Sequence, residues 1–220
     1  MRILVSGPSG SGKTTFAARL GRLLDIPHTE MDSLHWGPNW TPRPSFEADV
    51  QTLIERPAWI TEWQYPQVRG RLLERADVVI YLRYSRAVVM WRVVRRTVRR
   101  AVTGQRLWAD NVEPPLKNIL RDPDNMIRYT WRSYPHVGEL LAEARGQHLQ
   151  KRFIEFRTPA GGEPVFACRA AARCALRRLP LELRLPLNQP RLKQPPLKRL
   201  PSVVSKEIYE LGEGRLQVER

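Results

Sequence analysis

The chain has 220 residues, 42% of them hydrophobic, and a formal net charge of +15. That length suits one α/β domain with an extension, and that apolar content excludes a chain disordered throughout. No run approaches the roughly 18 apolar residues of a membrane span, and Gly7 to Lys13 interrupts the only apolar run at the N-terminus, so no membrane segment or secretory leader is expected and the expected location is cytoplasmic.

In chain order, residues 2–6 read as a short strand that runs into a glycine-rich turn. Phe16, Leu20, Leu23 and Leu24 then recur at helical spacing over 13–24. A second strand is predicted near 27–31, a helix over 45–55, a buried strand over 58–62, a helix over about 68–75 and a second buried strand over 77–82. A last strand is predicted over 152–157, and a helix over 164–178 could close the domain. Strands alternating with helices predict an α/β fold: a parallel sheet with helices on both faces, ligands binding beyond the carboxyl ends of the strands. Six prolines within 180–201 remove backbone donors and block helix and sheet. The expected division is therefore one domain over 1–178 and a poorly ordered basic tail over 179–220.

Gly7-Pro-Ser-Gly-Ser-Gly-Lys13-Thr14 fits the spacing G-x-x-x-x-G-K-[ST], between a predicted strand and a predicted helix. Gly7, Gly10 and Gly12 allow a tight turn whose successive N–H groups face inward, with Ser9 and Ser11 between them, at the positive end of the following helix. This chemistry suits the phosphates of a nucleotide, with Lys13 reaching the β- and γ-phosphates and the Thr14 hydroxyl ligating Mg²⁺. A magnesium–triphosphate site also calls for a carboxylate at the end of a neighbouring strand. Glu62 closes the strand 58–62 and Asp32 follows the strand region 27–31, so either could serve the metal, the other serving the acceptor.

Residues 83–106 hold eight arginines and no acidic residue. On a helical projection Ala87, Trp91, Val94, Val98 and Ala101 form one stripe, expected to pack, while Arg92, Arg95, Arg96 and Arg99 gather on another side. Such a surface suits charge spreading over a phosphoryl group in transfer, with Arg92 and Arg96 the preferred pair. Nucleic-acid binding through the same basic surface is the second reading and a solvated face the third. Both the segment 161–220 and the remainder are net basic, which suits polyanionic ligands. Cys168 and Cys174 lack metal-ligand spacing, and His28, His35, His136 and His148 are scattered, so no structural zinc is expected.

Over about residues 1–158 the chain resembles P-loop adenylate-kinase-like proteins, in particular the bacterial topology modulation proteins. The resemblance rests on Gly7 to Thr15, on Met31-Asp-Ser-Leu-His-Trp36 followed by Trp40, and on Trp59-Ile-Thr-Glu-Trp-Gln-Tyr65. It continues through Ala76-Asp-Val-Val-Ile-Tyr-Leu82, Arg92-Val-Val-Arg-Arg-Thr97 and Leu107-Trp-Ala-Asp-Asn-Val-Glu-Pro-Pro-Leu116. It implies a P-loop NTPase three-layer sandwich, ATP with Mg²⁺, an arginine-rich lid over about 86–116, and a phosphate loop extending to Thr15. Asp32, His35 and Trp36 would border the acceptor site. Where relatives often have Asp-Gly-Asn-Tyr, this chain has Glu-Trp-Gln-Tyr, so a bulky Trp63 stands in place of glycine. The combined expectation is an ATP-dependent phosphotransferase acting on a small-molecule or nucleotide acceptor. A nucleic-acid-associated nucleotide-binding protein and an NTP-dependent switch are the alternatives.

Overall fold

The apolar runs predicted as strands become one four-stranded parallel sheet in the computed structural model, which describes residues 1–157. β1 spans Arg2–Ser6, β2 Trp59–Glu62, β3 Val78–Leu82 and β4 Arg152–Phe156, in the order β2-β1-β3-β4. Central β1 pairs Ile3 with Ile60 on one side and with Val78 on the other. Every residue of β2 and β3 is buried, as in strands covered on both faces.

Alternation of the side chains builds two apolar layers. Ile3, Val5, Ile60, Ile80 and Leu82 meet Phe16, Ala17 and Leu20 of α1 (Lys13–Leu24) on one face. Leu4, Trp59, Val79 and Tyr81 meet α3 (Phe46–Glu55), α4 (Pro66–Arg75) and α7 (Met126–Gln147) on the other. The fold is therefore α/β with a parallel sheet between helices, as expected. Helices of ten or twelve residues are marginal alone; burying side chains such as Phe16, Leu20 and Leu53, each worth about 1.5–3 kcal/mol, holds them.

Two expectations need correction. The strand predicted near 27–31 is not one: His28 makes a single parallel bridge with Ile60, and α2 (Met31–His35) then begins. The reason lies across the fold, since the Glu62 carboxylate, 31 residues away, takes the Met31 N–H at 2.9 Å where that helix starts. The arginine-rich helix exists as α5 (Arg86–Thr103), but the stripe expected to pack faces water: Trp91 is 66% exposed, and Val89, Val93 and Thr97 are the buried face. Of these, Val89 and Val93 lie directly against Gly10 of the glycine loop. The helices α6 (Leu116–Arg121) and α7 were not read from the sequence. Pro135 and Gly138 break the helical pattern of α7, whereas its Asn125 cap and its buried Leu141 and Ala144 secure it. The helix predicted over 164–178 and the tail over 179–220 fall outside the described residues. No helix among the described residues is long and apolar enough to cross a membrane.

Candidate active site

The parallel sheet gathers the carboxyl ends of β1, β2 and β3 at one edge, where Ser6, Glu62 and Leu82 hand over to loops. β1 passes straight into the glycine loop, and Gly12, at φ +88°, sets the start of α1 at Lys13. Gly10 has φ +83°, and a Cβ there would sit 2.4 Å from Val93 Cγ2 and 2.9 Å from the Val89 carbonyl. Glycine at this position is thus what lets α5 rest directly on the loop.

That contact aims the arginines. Arg92 Nη1 donates to the Ser11 carbonyl at 3.2 Å, and Arg96 Nη2 donates to Ser9 Oγ at 3.2 Å. Lys13 Nζ donates to the carbonyls of Gly7 and Pro8 at 2.9 and 3.2 Å. Among the described ion pairs none includes Lys13, Arg92 or Arg96. Arg95 and Arg99, the other half of the predicted cationic side, are exposed. Ser11 is 1% exposed, and among the described residues its hydroxyl has no hydrogen-bond partner; Arg96 Nε is likewise buried without one. Thr14 and Thr15 lie in the first turn of α1, Thr14 half-buried and Thr15 exposed.

Burial pushes the Lys13 ammonium down to about 8, with Arg96 adding repulsion and Glu62 and Asp32 opposing the fall. Burial, reinforced by Arg100, also lowers Arg96. A fall of that size at Lys13 is a penalty of about 3 kcal/mol on its charged form. One phosphate oxygen at contact distance would contribute about 4 kcal/mol at an effective dielectric of 20. A polyanion therefore offsets the penalty that the folded chain imposes on its own lysine. The turn, the helix terminus, the orphaned Ser11 hydroxyl and the three cations fit a polyphosphate.

Across from this cluster stands Asp32 on α2, half-buried. Its Oδ1 accepts from the Tyr65 hydroxyl at 2.6 Å and from Gln64 Nε2 at 3.5 Å. Burial, and then Asp32 itself, raises the Tyr65 phenol, which stays a proton donor. Tyr65 stacks on His35 at 4.0 Å between ring centroids, and Trp36 and Phe46 meet His35 edge-on. His35 is 7% exposed with Nδ1 unpartnered, and burial lowers its pKa, which favours a neutral ring.

Glu62 is fully buried with both oxygens engaged, Oε1 with His28 Nε2 at 3.1 Å and Oε2 with the Met31 N–H. Burial works against its charge, but hydrogen bonds from His28 and Met31 outweigh it and hold the carboxyl below its ordinary range. The contacts of Glu62 thus anchor the start of the helix that carries Asp32. Trp63 leans on the core beside α4, and its Nε1 donates to the Arg69 carbonyl at 3.1 Å.

The structure therefore brings Lys13, Arg92, Arg96, the glycine loop, Asp32 and Glu62 to one edge of the sheet. Sequence reading missed the partnership of Tyr65 with Asp32 and of His28 with Glu62. No spacing signal could have found them, since the partners come from segments 33 and 34 residues apart.

A site for magnesium can be tested against these residues. Among the described residues no group of three or more His, Cys, Asp or Glu could hold a metal ion. Magnesium sites that use one or two carboxylates together with substrate phosphates need no such cage; the Thr14 hydroxyl and the half-buried Asp32 fit that kind, whereas Glu62, fully buried with both oxygens engaged, does not.

No family model matches the chain, and no curated protein does. Solved structures do. Shikimate kinase from Acinetobacter baumannii in complex with shikimate is 18% identical, with a TM-score of 0.45 over 80% of this chain and 93% of that one. A gluconokinase from Sinorhizobium meliloti 1021 is 17% identical, with a TM-score of 0.46 over 79% and 92%. Shikimate kinase from Aquifex aeolicus is 15% identical, with a TM-score of 0.41 over 78% and 94%. At these values the likenesses carry no weight for the reaction, which has to be read from this chain's own side chains.

Proposed function

We propose that this chain is an ATP-dependent phosphotransferase that moves the γ-phosphoryl group of Mg-ATP to a hydroxyl of a small acceptor. The observation that carries the reading is the convergence on a glycine loop of Lys13, Arg92 and Arg96, three cations without ion-pair partners among the described residues, with the Asp32 carboxylate facing them. The loop from Gly7 through Ser9, Gly10, Ser11 and Gly12 to Thr14 and Thr15 would hold the β- and γ-phosphates, with Lys13 bridging them. When bound with the nucleotide, magnesium would neutralise phosphate charge. Thr14 would hold it, with Asp32 the accessible carboxylate of the site.

In the step itself the acceptor oxygen attacks the γ-phosphorus, the bond to the bridging oxygen breaks, and ADP leaves. Asp32 orients the acceptor hydroxyl and takes its proton, held for that purpose by Tyr65 and, at the start of α2, by Glu62. Arg92 and Arg96 stabilise the charge spreading over the transferring group. His35 and Trp36 border the acceptor. The nucleic-acid reading drew on the arginine face together with the basic tail; two members of that face, Arg92 and Arg96, are turned to the loop, and the tail lies outside the described residues. The domain of this enzyme would run over 1–178, with the lid at about 86–116.

The test is a metabolite library offered with Mg-ATP to wild-type and Lys13→Ala protein. A hydroxyl compound that gains one phosphate in mass with the wild type only is the expected result. No product with the native wild type, or equal product with both proteins, overturns the proposal.

A further inference from the structure

Two segments far apart in sequence adopt the same shape and face one another. In residues 36–42, Trp36 bridges Pro42 in antiparallel fashion, Gly37 N–H donates to the Thr41 carbonyl at 2.8 Å, and Thr41 N–H donates to that of Pro38 at 3.2 Å. In residues 106–112, Arg106 bridges Val112, Leu107 N–H donates to the Asn111 carbonyl at 2.7 Å, and Asn111 N–H donates to that of Trp108 at 3.2 Å. Both tips turn through two consecutive left-handed residues, Asn39 and Trp40 at φ +55° in one loop, and Ala109 and Asp110 at φ +53° and +60° in the other. The sequences of the two loops do not align, so the shared shape is a convergence of backbone.

Left-handed backbone suits Asn and Asp but costs a bulky side chain about 1–2 kcal/mol. Trp40 is such a residue, and it persists in that state because the opposite loop holds it. Its N–H donates to Asn111 Oδ1 at 2.9 Å, its Nε1 donates to the Val112 carbonyl at 3.3 Å, and its ring lies 6.3 Å from that of Trp108. Asn111 is 5% exposed, and its Nδ2 donates to the Gly37 and Trp108 carbonyls, each at 2.8 Å. One amide side chain therefore satisfies groups of both loops at once.

The second loop is tied to both halves of the site. Arg100 of α5 pairs with Glu113 at 3.3 Å and lies over the Trp108 ring at 6.0 Å. On the other side Trp108 lies near enough to the Glu30 carboxyl, two residues before Asp32, to oppose the rise in its pKa that burial causes. The first loop leaves α2 directly at Trp36.

We propose that loops 36–42 and 106–112 form a clasp pinned by Asn111, which couples the arginine-bearing lid to the acceptor side and gates the acceptor's access. Asn111 is a positioning residue: it touches no reacting atom and acts through Trp40. This inference rests on the phosphotransferase reading for its purpose, while the clasp itself can be tested apart from it.

The experiment is amide hydrogen exchange at Trp40 in the full chain, wild type and Asn111→Ala, with and without a non-hydrolysable ATP analogue and Mg²⁺. Thermal unfolding confirms that the variant is folded, and calorimetry measures the analogue's affinity. The expected result is exchange at Trp40 at least about tenfold faster in the variant, as befits loss of a buried hydrogen bond. The analogue should slow that exchange further in the wild type only, at similar affinity for both proteins. Equal exchange in the two folded proteins, or an equal effect of the analogue on both, overturns the clasp. Absence of analogue binding to both proteins overturns the phosphotransferase reading instead, and the comparison without analogue still decides whether Asn111 pins the loops.

Discussion

The two halves of the candidate site, a phosphate side and an acceptor side in the reading proposed above, are built in opposite ways. The phosphate side is nearly continuous in sequence, from Ser6 to Thr15, and its geometry follows from glycines and one strand-to-helix handover. The acceptor side is assembled from Glu30 to Trp40, Glu62 to Tyr65 and Trp108 to Glu113, joined only by side-chain bonds across the fold. A site made of backbone needs few residues to specify it, whereas a site made of side chains is only as well defined as the packing behind it.

This contrast can be broken most forcefully at Lys13. Replacing it by alanine should weaken Mg-ATP binding about 10- to 100-fold, the loss expected for a hydrogen bond between charged groups, while Tyr65→Phe leaves that affinity within about twofold. Calorimetry on both variants checks this, and comparable losses would mean that the two sides are not separable.

Next in size is Gly10→Ala. The new methyl group meets Val93 at a left-handed backbone position, so about 1–3 kcal/mol of stability should be lost, as in overpacked cores. The measurement is the urea midpoint. The same change at Gly70, where no atom lies within 4 Å, should be neutral or slightly stabilising.

Tyr65→Phe should have a smaller effect, about 1 kcal/mol of stability for one hydrogen bond. Nucleotide affinity should be unchanged and acceptor turnover lowered, which a product assay with the identified acceptor would read.

The smallest signal concerns protons. The Lys13 pKa is lowered by folding, to about 8 from 10.5, so between those values the unfolded chain binds more protons than the folded one. The resulting destabilisation is complete below pH 8 and is relieved as pH rises from 8 to 10.5. A bound polyphosphate should restore the pKa. Binding above pH 8 should then take up a fraction of a proton, seen as a dependence of the calorimetric heat on buffer ionisation enthalpy. Uptake should vanish near pH 6.5, where Lys13 is already protonated, and in Lys13→Ala at any pH.

What the amino-acid sequence determined by itself was local. The glycine loop, β1, α1 and the apolar strands β2 and β3 were legible because each depends on spacing within a few residues, and Trp59 reads as core for the same reason. Tertiary structure alone decided which face of α5 packs. An amphipathic pattern shows that a helix has two faces, but the loop at Gly10 admits Val89 and Val93 and leaves Trp91 to solvent. Tertiary structure also joined Tyr65 to Asp32, His28 to Glu62 and Asn111 to Trp40. Those pairs are set by where the chain returns after tens of residues, a matter of sheet order and helix packing that no local pattern encodes.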